Sequence, residues 1–142
     1  MGRRLIGKAY SPAGKHSALK GAVRNAACRA FGSSPTIGGP VAVEVECWMP
    51  KAVSDRTARW WHSKKPDIDN IAKCVLDGLN DSGVWSDDAK VAILRVAKID
   101  TPTDTHEPRL FVAIQELPER DRPVRKRSRK TKDQDAQDQD QG

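Results

Sequence analysis

Lys65-Pro66-Asp67-Ile68-Asp69-Asn70-Ile71-Ala72-Lys73 is the stretch on which the reading of this chain turns. Asp67 and Asp69, separated by one apolar residue, are expected on the same side of an extended backbone, while Asp69 and Lys73, four apart, can meet across one helical turn. Such an arrangement suits a hard cation held beside an anion. About one helix length further on come the neighbouring acids Asp87 and Asp88.

Beyond the motif, Ile71, Ala72, Val75, Leu76 and Leu79 fall on one helical face, with Asn80 and Gly83 marking the exit. Asp81-Ser82-Gly83 reads as a turn, Val84-Trp85 as a short apolar pair, Val91 to Ile99 as a strand, and Leu110 to Leu117 as another. Upstream, Ser17 to Phe31 repeats apolar residues at helical spacing and is stopped by Gly32 with Ser33-Ser34-Pro35. Val41, Val43, Val45 and Cys47 then alternate with Ala42, Glu44, Glu46 and Trp48, the period of a strand with one buried face, closed by Met49-Pro50. The order helix, strand, loop, helix, strand, strand predicts an α+β fold. Residues 1–118 are expected to form a single compact domain, a mixed β-sheet packed against two main helices. No internal repeat is present.

The segment Lys51 to Lys65 shows neither period and interleaves Arg56, Arg59, Lys64 and Lys65 with Trp60, Trp61 and His62. Bases among aromatics can hold phosphates and stack on unpaired nucleobases, so this loop is the candidate DNA-contacting segment. The plainer alternative is that Trp60 or Trp61 anchors the loop on the core; at least one tryptophan is expected to be buried.

The chain has 142 residues, 25 Lys and Arg against 19 Asp and Glu, and a net charge of +6. That length allows one domain with a real core. No apolar run approaches the roughly 18 residues of a membrane span, and the expected location is the cytoplasm. Residues 119–142 lack aromatics; eight bases lie in 119–132, and Asp133, Asp135, Asp138 and Asp140 follow with no base. Such a segment cannot bury enough surface to offset the entropy of ordering, so it is expected to be a disordered tail, basic and then acidic and Gln-rich. The chain before the acidic end is therefore strongly basic. A positive body suits a polyanion, because neutralising each phosphate releases counterions.

Cys28, Cys47 and Cys74 are odd in number and widely spaced in apolar segments, which predicts buried, reduced thiols rather than disulfides or zinc. A calcium loop starting at Asp67 fails, since Ala72 stands where a glycine is required and Gly78 where a Glu is required. Phosphate-binding glycine loops and a Gly-x-Ser-x-Gly turn are absent. Acids poised for a hard cation in a basic chain point to a magnesium-dependent nuclease.

The motif Lys-Pro-Asp-Ile-Asp-Asn-Ile-Ala-Lys, then Leu76-Asp77-Gly78-Leu79-Asn80, then Val84-Trp85-Ser86-Asp87-Asp88-Ala89-Lys90-Val91, resembles the signature of the RusA family of Holliday junction resolvases, common in phages and prophages. More loosely the resemblance runs from about Gly7 through the first helix and the Val41 to Pro50 strand to about Leu117, and it covers none of the tail. It implies that Asp67, Asp69 and Asp88 are the essential acids and Lys73 the essential base. It also implies a Mg2+-dependent homodimer that nicks opposed strands of four-way junction DNA symmetrically, in recombination and repair. Family members usually begin with a strand, and this chain starts almost on the Gly7-Lys8-Ala9-Tyr10 stretch. An edge strand is therefore expected to be missing.

The chemistry agrees. Three converging carboxylates, Asp67, Asp69 and Asp88, would repel one another unless a divalent cation supplied the opposing charge. Lys73, near a helix N-terminus, could neutralise the charge developing on a scissile phosphate. The alternative function is a non-catalytic module binding branched or single-stranded DNA through the basic loop and tail.

Overall fold

The register of the central strand fixes the layers. In β2 (Val41–Met49), Val41, Val43, Val45, Cys47 and Met49 are buried and the residues between them are not. Burying a side chain of this size stabilises by roughly 2 kcal/mol. A slip of one residue would drive Glu44 and Glu46 inward and forfeit on the order of 10 kcal/mol, as much as a whole domain's stability. β4 (Arg109–Glu116) runs antiparallel beside β2, matching Val43 with Ile114, Val45 with Val112 and Cys47 with Leu110, all buried.

The computed structural model describes residues 3–7, 16–51, 54–57, 59–101 and 108–123, residues 3–7 as backbone. The sheet has four strands in the order β1-β4-β2-β3, with β1 at Arg3–Gly7 and β3 at Val91–Asp100. Every pairing is antiparallel except β2 with β3, which is parallel. Parallel neighbours need a long crossover, and here it contains α2 (Ile68–Ser82). α1 (His16–Phe31) lies against α2, and both cover one face of the sheet through Leu19, Val23, Ala27, Ile71, Val75 and Leu79. The fold is thus α+β with a mixed sheet.

Three expectations need correction. An edge strand is present after all: Arg3–Gly7 pairs with β4 from Arg3 opposite Ile114 to Gly7 opposite Leu110. Its short run carries too little periodicity to be read alone, and it forms because β4 offers an open edge. Cys28 is exposed, although Cys47 and Cys74 are buried thiols. Trp60 and Trp61 are 59% and 65% exposed, and the buried indole is Trp85, whose Nε1 donates to Asn80 Oδ1. Residues 124–142, most of the expected tail, lie outside the described residues. Among the described residues no helix is long and apolar enough to cross a membrane.

α1 and α2 approach closely at Gly78, where an added Cβ would stand 2.7 Å from the Lys20 carbonyl oxygen and 2.8 Å from Val23 Cβ. Backbone cannot yield as a flexible side chain can. Gly78→Ala is therefore expected to destabilise by about 1–3 kcal/mol and lower the melting temperature by several degrees, read by thermal circular dichroism. An unchanged or higher melting temperature would contradict the close approach.

Candidate active site

Asp67 is the N-cap of α2, and Asp69 sits in its first turn. The helix thus begins at Ile68, and the alternation expected of an extended Asp-Ile-Asp segment does not occur. Both residues are exposed at the N-terminal end of the helix, where free amides favour negative charge. Asp67 makes no capping hydrogen bond; its Oδ2 accepts one from Lys65 Nζ at 2.6 Å. That bond, then the Lys65 charge, lowers the Asp67 pKa and raises that of Lys65. The expected Asp69–Lys73 pair is not formed: both are exposed, and among the described residues neither has an ion-pair partner. Water competes well for such surface charges. Asn70 is exposed on the same turn.

The segment before α2 is tied to the end of β3. Lys98 Nζ donates to the carbonyls of Lys64 and Pro66, each at 2.7 Å, across a cis Lys65–Pro66 bond. His62 N donates to Lys98 O at 3.0 Å and Asp100 N to Trp60 O at 2.9 Å, so the loop is joined to the edge of β3 by one antiparallel bridge, Trp61 opposite Ile99. Beneath it, buried Asp100 meets His62 Nδ1 at 2.6 Å and Arg59 Nε at 3.1 Å, while Arg59 Nη2 also reaches Asp55 at 2.6 Å. Burial works to raise the Asp100 pKa, but the hydrogen bonds and charges of His62 and Arg59 outweigh it and hold it low. Asp55 is held at about 2 by hydrogen bonds from the Thr57 hydroxyl and amide and by the Arg59 charge.

The second acidic pair lies elsewhere. Asp87 caps the 3₁₀ turn Asp88–Lys90, its Oδ1 accepting from the Ala89 amide at 2.7 Å, and that bond followed by contact with Asp88 lowers its pKa. Asp88 is exposed and leads into β3 at Val91, which pairs with the first residue of β2. Asp67 instead adjoins Pro66, held by Lys98 towards the other end of β3. Seven strand steps separate Val91 from Lys98, about 23 Å, and α2 itself spans about 22 Å. Asp88 therefore stands at the opposite end of the molecule from Asp67 and Asp69. Among the described residues no three His, Cys, Asp or Glu side chains gather as a metal-holding group. The expected convergence within one chain is overturned, because the crossover helix separates the two acidic clusters by its own length.

Magnesium typically takes one or two carboxylates directly and fills its remaining positions with water and phosphate. Asp67 and Asp69 are both exposed at the start of α2, and Asp88 of the same chain does not join them. Of the four basic loop residues, Arg59 is committed to Asp55 and Asp100 and Lys65 to Asp67. Arg56 and Lys64 are exposed without an acidic partner among the described residues. Sequence reading missed Lys98, Asp100 and the loop-holding role of His62. Asp100 and His62 lie 38 positions apart and share no motif.

The family model described as Endodeoxyribonuclease RusA matches residues 2–115. The chain belongs to this family. It is also 35% identical over 91 residues to a Bacillus subtilis (strain 168) protein described as "Uncharacterized protein YqaN", a match covering 57% of this chain and 61% of that relative.

A lowered carboxyl pKa stabilises the fold above the ordinary carboxylate value, and that contribution is lost as pH falls through the lower folded value. Asp100→Asn is accordingly expected to melt below wild type at about pH 6, with the gap narrowing as pH drops below about 4. A gap constant down to about pH 2 would mean that the Asp100 charge does not hold the loop.

Proposed function

We propose that this protein is a Mg2+-dependent endodeoxyribonuclease that resolves four-way junction DNA by paired symmetric nicks, acting as a homodimer in the cytoplasm during recombination and repair. Membership of the family and the placing of Asp67 and Asp69 at the exposed N-terminus of α2 support this reading. Residues 1–118 form the nuclease domain, and 119–142 a basic and then acidic tail that adds sequence-independent DNA affinity.

A bound Mg2+ would lower the pKa of an attacking water and polarise the scissile phosphate. The chain's own residues do the rest. Asp67 and Asp69 orient the cation, and the α2 N-terminus, with Lys65 and Lys98 beside it, favours the approach of a phosphate. Lys73, on the second turn of α2, supplies compact positive charge where negative charge develops, and Arg56 and Lys64 hold the flanking strand.

Asp88 acts in this reading on the site of a second copy, and the observation behind this is the state of β3. Among the described residues its outer edge is covered only towards the C-terminal end, where Trp60 to His62 run beside it. Further back Ile93 and Leu94, on opposite faces, are 45% and 40% exposed. An open apolar edge invites strand pairing. Two copies joined antiparallel along this edge about a two-fold axis bring the start of one β3 beside the end of the other. Asp88 of one copy then adjoins Asp67 and Asp69 of its partner, and each dimer holds two sites for two strands.

The separation of the acids within one chain also favours a second reading, a non-catalytic module that binds branched DNA. Purified protein, Mg2+ and a synthetic mobile junction separate the two. Paired nicks are expected, reduced at least about a hundredfold by Asp69→Asn or Asp88→Asn with junction binding retained. Mixing these two inactive variants should restore nicking at one strand, because one site of the mixed dimer then has both acids intact. Restoration of nothing would rule out sharing of the site between copies, and binding without cutting by wild type would establish the second reading.

A further inference from the structure

Three tryptophans meet where β2 and β3 end. Trp48, next to last in β2, points away from the helices and packs edge-on against Trp60 at 5.9 Å and 75°, and Trp60 against Trp61 at 6.3 Å and 89°. Arg109 Cζ lies 4.6 Å over the Trp48 ring. Exposure of 59% and 65% makes Trp60 and Trp61 the most exposed large apolar side chains among the described residues. A loop anchor would bury its ring. Here the anchoring falls to other groups: the backbone bonds of Trp60 and His62 to β3, the Asp100 contacts with His62 and Arg59, and the Lys98 ammonium on Lys64 and Pro66. The rings are therefore held in place from below while most of their surface meets water. Edge-to-face packing orients them and occupies one face of one ring in each pair, leaving the other faces free.

The surroundings are cationic. Arg56 and Lys64, on the same loop, have no acidic partner among the described residues, and Arg109 adds its guanidinium to the corner. Flat aromatic faces on a segment that also carries unpaired cations suit a ligand that is both planar and anionic. We propose that Trp60 and Trp61 form a stacking subsite for an unpaired nucleobase of a DNA strand, with Lys64 and Arg56 on the neighbouring phosphates. This rests on the reading of the protein as a DNA enzyme and adds to it a means of preferring branch points, since bases within a continuous duplex are already stacked on one another. The subsite stands at the same end of the sheet as Asp67, joined to it through Lys64 and Pro66 on Lys98.

The test uses the full chain without divalent cation, so that no cleavage intervenes, and compares a short oligothymidylate with an abasic strand of equal length and charge. Tryptophan quenching and about tenfold tighter binding of the base-bearing strand are expected. Trp61→Ala should bring its affinity down to the abasic level and leave the slope of affinity against salt unchanged, whereas Trp61→Phe should keep part of the preference. Equal binding of the two strands by wild type, or a preference that survives in both Trp61→Ala and Trp60→Ala, would overturn the subsite and leave the nuclease reading standing. Binding of neither strand would remove the subsite together with the DNA reading beneath it.

Discussion

The parallel pairing of β2 with β3 is the constraint from which the rest of the molecule follows. Two parallel neighbours cannot be joined by a tight turn, so the chain leaves the end of β2, crosses the sheet as α2, and re-enters at the start of β3. The crossover helix runs opposite to both strands. Its N-terminus, with Asp67 and Asp69, lies beside the strand ends, and its C-terminus delivers Asp87 and Asp88 to the strand beginnings. Acids that the sequence brings within about twenty positions are thereby held about as far apart as the sheet allows. The same pairing leaves β3 at the edge of the sheet, covered among the described residues by the Trp60 to His62 segment alone.

Most of the fold was legible because its elements bury one face each. The alternation from Val41 and the helical spacing from Leu19 and from Ile71 gave both helices and β2 to within a residue or two. β1 escaped because Arg3–Gly7 is held by pairing with β4, more than a hundred positions away. Asp67 and Asp69 were legible as a pair, but the alternation argument assumed an extended backbone where the helix has already begun. The Asp88 position was misjudged for a deeper reason. Order along a chain says which residues occur together, whereas convergence depends on the direction of a crossover that only the sheet determines.

Part of the signature that marks the family is structural. Gly78 admits α1 to close contact, Gly83 ends α2 in the left-handed conformation at φ 75°, and Asn80 satisfies the indole of buried Trp85. Asp87 is likewise committed to capping the turn before β3. Among the described residues Asp69 and Lys73 have no ion-pair partner, exposed Asp88 contacts its neighbour Asp87, and Asp67 pairs with exposed Lys65. The loop before α2 shows the reverse economy. Its buried polar network around Asp100 orders a segment that has little apolar burial of its own, and so keeps two indoles at the surface.

In the proposed dimer a cation site is complete only when the Asp88 end of one copy meets the Asp67 and Asp69 end of the other. Binding of Mn2+ in place of Mg2+, read by water-proton relaxation across protein concentrations that span monomer and dimer, tests it most directly. Tight binding is expected to rise with the dimer fraction, and Asp88→Asn to weaken it without dissociating the dimer. Equal affinity in monomer and dimer, indifferent to Asp88, would contradict it.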